Sequence, residues 1–177
     1  MANQRGNVKR PKGIRAANRP VDCEGGTLTP SALRRATAFH GHLGPWLVLG
    51  LKAGTYARKR LAASPFELDA RVFCPAGPPH TCFVDGVQFG SGCTMGKGNI
   101  IHHRADGCRV EFRRTGAGSG ASHKGTKVQR GSETRLRLSL RPEVWAELHW
   151  RPSRGMADAA RLGRELARRP LKKLFAE

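Results

Sequence analysis

The first hydrophobic pattern along the chain has the spacing of a helix. Apolar residues recur at helical intervals from Leu33 to Phe39. Thr29 suits the capping position before such a helix, and Pro30 suits its first turn. The pattern predicts a short helix that ends near His40.

A second helix is predicted to begin at Gly44-Pro45, and its apolar residues are distributed differently from those of the first helix. Its first turns are apolar nearly all round, which indicates a central, buried helix. Gly50 and Gly54 lie four residues apart, so another backbone can approach closely on that side. The basic run 58–60 suits the C-terminal end of the helix dipole.

The rest of the chain alternates strand and helix patterns. In chain order it predicts a strand at 66–73, a helix beginning near Thr81, a glycine-rich turn at 90–99, a hairpin of 100–103 and 108–114 around 105–107, a last strand at 134–140, and two or three closing helices ending in P-L-K-K-L-F. This order predicts an α+β fold with a small sheet packed on a central helix.

Length and composition favour one domain with tails. The chain has 177 residues, enough for a single hydrophobic core. Residues 1–26 are rich in Pro, Gly, Arg and Asn, and we expect a flexible basic arm there. The domain is expected to span 27–177 and to carry a mobile Gly/Ser/Lys loop at 115–131.

The net charge of +19 allows several classes of binding partner. It is compatible with nucleic acid, a membrane surface or an anionic protein, but a solvated, arginine-rich surface is the favoured interpretation. The sequence has neither the aromatic-basic motif of an RNA-binding sheet nor an apolar run long enough for a membrane span.

The N-terminus lacks the apolar core of a secretory signal. With five cysteines and no C-x-x-C pair, we expect a cytoplasmic protein with reduced thiols.

Two short stretches carry candidate metal ligands. His40 and His42 flank one glycine at the helix junction, where both can converge on an ion or simply satisfy helix-end amides. Cys82 falls in the first turn of a predicted helix, a position that is expected to lower the thiol pKa and favour the metal-binding thiolate. Asp85 shares its face. The alternative for Cys82 is a small buried hydrophobe.

The glycine-rich stretch 90–99 is the third candidate. Its glycines allow a close approach of backbone to a ligand, Cys93 and Thr94 offer a soft ligand and a hydroxyl, and Lys97 offers a charge for an anion. It is not a P-loop, because Lys97 is followed by glycine. A tight helix-to-strand connection is the alternative. The other cysteines, Cys74 and Cys108, are expected in the core. Of the other histidines, His102 and His103 are expected on opposite faces of a strand, and His123 and His149 at the surface.

The three stretches, taken in order, resemble the FmdE family of formylmethanofuran dehydrogenase proteins. The family pattern is F-H-G-H-L-C-P-G, then C-x-x-D-x-x-Q, then T-G-C-T-x-G-K-G-N-L. Here the motifs are F-H-G-H-L-G-P-W at 39–46, C-F-V-D-G-V-Q at 82–88 and S-G-C-T-M-G-K-G-N-I at 91–100.

The resemblance implies a mixed four-stranded sheet, a homodimer and a cavity where His and Cys side chains hold a transition metal, zinc first. On these motifs it implies metal ligands at His40, His42, Cys82 and Cys93, and ligand-binding roles for Asp85, Thr94, Lys97 and Asn99. This chain departs from the pattern at Gly44, which replaces the motif cysteine, and at Trp46. It also lacks the C-terminal zinc-binding module of the longer members.

Three functions follow from this interpretation. The favoured one is a metal-binding accessory protein of one-carbon or formyl metabolism, or of metal and cofactor handling, with a possible place in a larger oxidoreductase complex. The residues contain no complete catalytic constellation, and Cys82, Cys93 and His42 are the candidates if a reaction occurs. The alternatives are a basic protein that binds nucleic acid or an anionic partner, and a degenerate structural homologue whose site was lost with the cysteine at position 44.

Overall fold

The structure is a computed structural model that describes residues 23–24, 27–115, 134–150 and 154–177. The predicted arm and the predicted mobile loop therefore lie almost wholly outside the described residues. The helices are α1 (Pro30–His40), α2 (Pro45–Arg60), α3 (Cys82–Ser91), α4 (Pro142–Trp150) and α5 (Met156–Arg168). The strands are β1 (Cys23–Glu24), β2 (Thr27–Leu28), β3 (Leu68–Cys74), β4 (Ile100–Arg104), β5 (Arg109–Arg114), β6 (Arg135–Leu140) and β7 (Phe175–Ala176).

The main sheet is mixed, and the α+β class is confirmed. Its strand order is β4-β3-β5-β6-β7, with β4 parallel to β3 and the other neighbours antiparallel. The sheet has five strands where the resemblance implied four, because the chain end returns as the short β7 beside β6. β1 and β2 form a separate two-stranded ribbon.

The predicted hairpin of β4 and β5 is wrong, since β3 lies between these strands. The turn at 105–107 spans this extra strand, and the Ala105 N–H donates to the Cys74 carbonyl at 3.2 Å. Alternation in the sequence shows which residues face the core. It does not show which edge of a strand receives which neighbour.

Helix α2 is the centre of the molecule, as predicted, with twelve of its sixteen residues buried. It packs against α3 at backbone distance. A Cβ atom added to Gly50 would lie 2.1 Å from the carbonyl oxygen of Phe83, and one added to Gly86 would lie 2.2 Å from that of Leu47. The predicted close approach at Gly50 and Gly54 is therefore confirmed, with Gly86 and Gly90 of α3 on the other side.

One charged residue of α2 is buried in this core. Lys52 is only 2% exposed, and its Nζ donates to the carbonyl oxygen of Ala167 at 2.8 Å. This oxygen lies at the C-terminal end of α5, where a positive charge is favoured by the helix dipole. Lys52 thus ties α5 to the central helix. No helix within the described ranges is long and apolar enough to cross a membrane.

Candidate metal centre

The site begins where α1 passes into α2. Helix α1 ends at His40, and Gly41 takes the left-handed conformation (φ 96°) while its N–H donates to the Thr37 carbonyl at 2.7 Å. This conformation favours glycine. The chain then reaches His42 before α2 begins, and the two imidazole rings lie 4.5 Å apart between centroids. The H-G-H spacing therefore brings both rings to one wall of the junction.

Cys82 joins the two histidines from the neighbouring helix. It is the first residue of α3, which packs along α2. One nitrogen from each imidazole and the Cys82 sulfur all lie within 4.8 Å of one another, and all three residues are half-buried. Residues from two of the three sequence motifs are thus brought together. Two imidazoles and one thiol form a ligand set of the kind that transition metals prefer.

Asp85 fixes the orientation of His40. Its Oδ2 lies 2.8 Å from Nδ1 of His40, so that Nδ1 carries the proton and donates. Nε2 of His40 is left with a free lone pair, and it is buried without a hydrogen-bond partner among the described residues. A carboxylate that orients a histidine in this way is a regular companion of metal ligands. The arrangement fits a bound metal better than it fits a purely structural histidine.

The glycine-rich motif supports this carboxylate through its backbone. Gln88 donates from Nε2 to Asp85 Oδ1 at 3.2 Å, and its Oε1 accepts from the Met95 N–H at 3.0 Å. A chain of hydrogen bonds therefore runs from the turn after α3 to Nδ1 of His40. The second and third motifs are thus joined in one hydrogen-bond network.

The polar side chains of the third motif bond to the backbone of their own turn and to that of the segment 65–68. Thr94 Oγ1 accepts from the Lys97 N–H, and Lys97 Nζ donates to the Gly92 carbonyl. Asn99 accepts from the Thr94 N–H through Oδ1 and donates to the carbonyls of Pro65 and Leu68. These bonds hold the turn, and the ligand-binding roles expected for the three residues stay predictions.

Cys93 lies outside the ligand group. Its side chain is fully buried, its Sγ donates to the Leu68 carbonyl at 3.1 Å, and its N–H donates to Ser91 Oγ. Burial raises the pKa of the Cys93 thiol to about 11. The thiol would have to leave the Leu68 carbonyl to reach the two histidines.

The electrostatics of the group correct one expectation. The pKa of Cys82 is raised, first by burial and then by the nearby Asp85 carboxylate, whereas the helix position alone had predicted a lowered pKa. The loss of hydration and the negative charge therefore outweigh the helix N-terminus, and Thr81 makes no side-chain cap hydrogen bond there. Burial and then His40 lower the pKa of His42, so His42 is held in the neutral form that ligates metals.

A cavity of about 380 Å³ opens beside the group. His42 and Cys82 lie on its wall, and most other lining residues are apolar, among them Trp46, Leu148, Met156 and Leu162. Gly44 also lines it, and a Cβ atom there would lie 3.5 Å from His42 Nε2. The cavity therefore reaches the ligand group at the position where the family motif has its cysteine.

Sequence reasoning missed the aromatic cluster near this cavity. The Trp46 ring lies 4.7 Å from that of His80 and 5.5 Å from that of Trp145. His149 is exposed, as expected, but its Nε2 lies 3.2 Å from Nε2 of His80. These residues come from α2, from the segment before α3 and from α4, so no local spacing could have signalled the cluster.

The fold and site define an α+β protein with a half-buried His/His/Cys group at a helix junction. The chain belongs to the family described as FmdE, molybdenum formylmethanofuran dehydrogenase operon, whose pattern matches residues 39–175. It is also 34% identical over 77 residues to a protein of Archaeoglobus fulgidus named as a probable S-adenosyl-L-methionine-binding protein. That match covers 40% of this chain and 20% of the relative's length.

Proposed function

We propose that this protein binds one transition-metal ion, zinc first, through His40 Nε2, His42 and Cys82. The observation that carries the proposal is the buried Nε2 of His40, which has no hydrogen-bond partner within the described part of the chain. It lies beside the two other ligand atoms, and Asp85 orients its ring. Zinc is favoured because imidazole and thiolate are its usual ligands in proteins. Binding would remove the proton from Cys82.

Three protein ligands leave a fourth position for an external ligand, as in catalytic zinc sites. A bound ion there would supply Lewis acidity to whatever occupied that position. The apolar cavity beside His42 and Cys82 gives a small molecule room to reach it. His42 and Cys82 are accordingly the residues for which a chemical role is proposed, and Cys93 contributes by holding the turn that orients Gln88.

We further propose an accessory role in one-carbon or formyl metabolism, or in metal and cofactor handling. The family description, with its formylmethanofuran dehydrogenase operon, supports this assignment. The proposal includes a homodimer in the cytoplasm, a partner among larger oxidoreductase complexes, and a single domain over 27–177. The name of the Archaeoglobus relative adds S-adenosyl-L-methionine as a ligand to test in the cavity.

Elemental mass spectrometry on untagged, cell-purified protein tests the metal site. We expect about one zinc per chain in the wild type and in Cys108→Ser, a control that removes a buried thiol outside the ligand group. We expect less than about a tenth of that content in Cys82→Ser and His40→Ala. Equal metal content in all four proteins would overturn the proposal. A metal-free wild type after reconstitution would favour the degenerate homologue.

Binding of nucleic acid or another anionic partner remains a second candidate, because one surface supports it. The open face of the sheet carries exposed Arg71, Arg135 and Arg137, and the whole chain has a net charge of +19. Fluorescence anisotropy with a single-stranded RNA should then show affinity that falls steeply with salt. The absence of binding at low salt would remove this candidate.

A further inference from the structure

Cys74 and Cys108 face each other across two strands. The antiparallel register of β3 and β5 runs from Leu68↔Arg114 to Phe73↔Arg109. Continued by one residue, it places Cys74 opposite Cys108, the residue before β5. Directly opposite residues of an antiparallel pair have Cα atoms roughly 4.5–5.5 Å apart. This separation lies within the range that a disulfide spans. Both thiols are free and buried, with Cys74 at 0% and Cys108 at 6% exposure.

His102 completes the cluster from the other side of β3. Its Nε2 lies 3.3 Å from Cys74 Sγ and 3.2 Å from the Cys74 carbonyl oxygen. The carbonyl can only accept, so Nε2 carries a proton that it can also share with the sulfur. Cys74 thus has a hydrogen-bond donor of the kind that stabilises a thiolate.

The electrostatics agree with this geometry. A hydrogen bond from the Cys108 thiol, followed by the charge and hydrogen bond of His102, lowers the pKa of Cys74 to about 7, although burial opposes the shift. The same contact and burial raise the pKa of Cys108. The imidazole lies beside the Cys74 sulfur, so we assign Cys74 as the attacking thiol and Cys108 as the thiol that resolves it, the division of roles found in redox-active pairs.

We propose that Cys74 and Cys108 form a reversible redox pair, with His102 positioning the Cys74 sulfur. In the oxidation step the Cys74 thiolate attacks hydrogen peroxide, breaks the O–O bond and becomes a sulfenic acid, while hydroxide leaves. The Cys108 sulfur then attacks the Cys74 sulfur. An S–S bond forms, and the Cys108 proton and the sulfenic hydroxyl leave as water. An external dithiol then reduces this disulfide to the two thiols and is itself oxidised to a disulfide.

This modification site is independent of the proposed metal site, since none of its three residues belongs to the His40, His42 and Cys82 group. It lies at the end of β3, and the segment that follows leads directly to Cys82. Cys93 is a matched thiol for comparison, because it is equally buried but donates to a carbonyl and makes no hydrogen bond to an imidazole of the described ranges.

Peptide mapping by mass spectrometry tests the pair in the intact protein as purified. The protein is treated with hydrogen peroxide, its remaining thiols are alkylated, and it is digested. We expect a Cys74–Cys108 disulfide that forms at least about tenfold faster than Cys93 is oxidised, and that dithiothreitol removes. Oxidation of all buried thiols at one rate, or crosslinks without preference for this pair, would overturn the proposal.

Two variants separate the proposed roles. In Cys108→Ser the resolving thiol is missing, so dimedone should trap a sulfenic acid at Cys74. In His102→Gln the disulfide should form several-fold more slowly while the circular dichroism spectrum stays that of the wild type. An unchanged rate in His102→Gln would remove His102 from the site. If Cys108→Ser fails to fold, the ratio of Cys74 to Cys93 reactivity in the wild type still decides the question.

Discussion

At the scale of single residues, the site depends on how His40 is held. The ring is fixed from one side by Asp85, which is held in turn by Gln88 and by the Met95 N–H. Only Nε2 remains for another partner, and it has none among the described residues. This asymmetry distinguishes the ring from a histidine that merely satisfies helix-end amides.

Removing the Asp85 carboxylate should weaken metal binding without removing a ligand. In Asp85→Ala we expect zinc affinity to fall by about 10- to 100-fold, because the tautomer and orientation of His40 are no longer fixed. Competition with a chromophoric chelator measures the change. Asp69→Ala is the control, since Asp69 pairs with Arg113 on the sheet and lies outside the ligand group. Equal affinities of the two variants would contradict the proposed role of Asp85.

Restoring a thiol at position 44 should strengthen the site. The backbone there is extended (φ −149°, ψ 166°), so any residue fits, and a Cβ atom would lie 3.5 Å from His42 Nε2 in ordinary contact. In Gly44→Cys we expect zinc affinity to rise at least about tenfold through a fourth ligand. The cobalt-loaded variant should show stronger thiolate charge-transfer absorption. Gly44→Ala fills the same space without a ligand, and a similar gain in that protein would argue against coordination.

The sequence predicted the positions of some of these site residues correctly, but not those of all of them. The resemblance of the three motifs placed His40, His42, Cys82 and Cys93 in one candidate site. The structure brings the first three together, because α3 lies along α2. The sequence could not place Cys93, since a cysteine in a glycine-rich turn can face a ligand or a carbonyl. It also indicated the wrong direction for the pKa of Cys82, because burial and the Asp85 charge depend on tertiary packing.

At the scale of elements, the local sequence pattern predicted where helices begin more reliably than it predicted which strands lie side by side. The start of α1 at Pro30, with Thr29 capping Ala32, and the buried α2 were both predicted from residue order. The separation of β4 from β5 by β3 was not predicted, because a short turn has the same composition whether or not a strand intervenes. Contacts between helices were predicted only where glycines marked a close approach, as at Gly50.

The α2–α3 contact should therefore be sensitive to a single methyl group. In Gly50→Ala the new Cβ atom would lie 2.1 Å from the Phe83 carbonyl, so the helices must separate. We expect the free energy of unfolding to fall by about 3 kcal/mol. Urea denaturation measures it. Gly96→Ala is the matched control, because a Cβ atom there meets nothing within 4 Å. A change of equal size in both variants would mean that the contact is looser than the structure indicates.

At the scale of the whole molecule, the proposed metal site joins the α1–α2 junction to a helix much further along the chain. α1 supplies His40, the turn before α2 supplies His42, and α3 supplies Cys82. A ligand set drawn from separate elements exists only in the folded protein, so binding free energy adds to folding free energy. Within the described ranges, most arginines lie at exposed positions such as Arg71 and Arg137, so the net charge contributes to the surface more than to the core.

Zinc should accordingly raise the thermal stability of the intact protein. At a free zinc concentration of about 100 times the dissociation constant, the folded state gains about 2.7 kcal/mol, which corresponds to a rise in Tm of roughly 5–10 °C for a chain of this size. Differential scanning fluorimetry with zinc and with a chelator measures the shift. His40→Ala should melt at one temperature under both conditions, whereas Cys108→Ser should keep the full shift. A wild-type Tm that does not respond to zinc would show that the three side chains do not act together as a metal site.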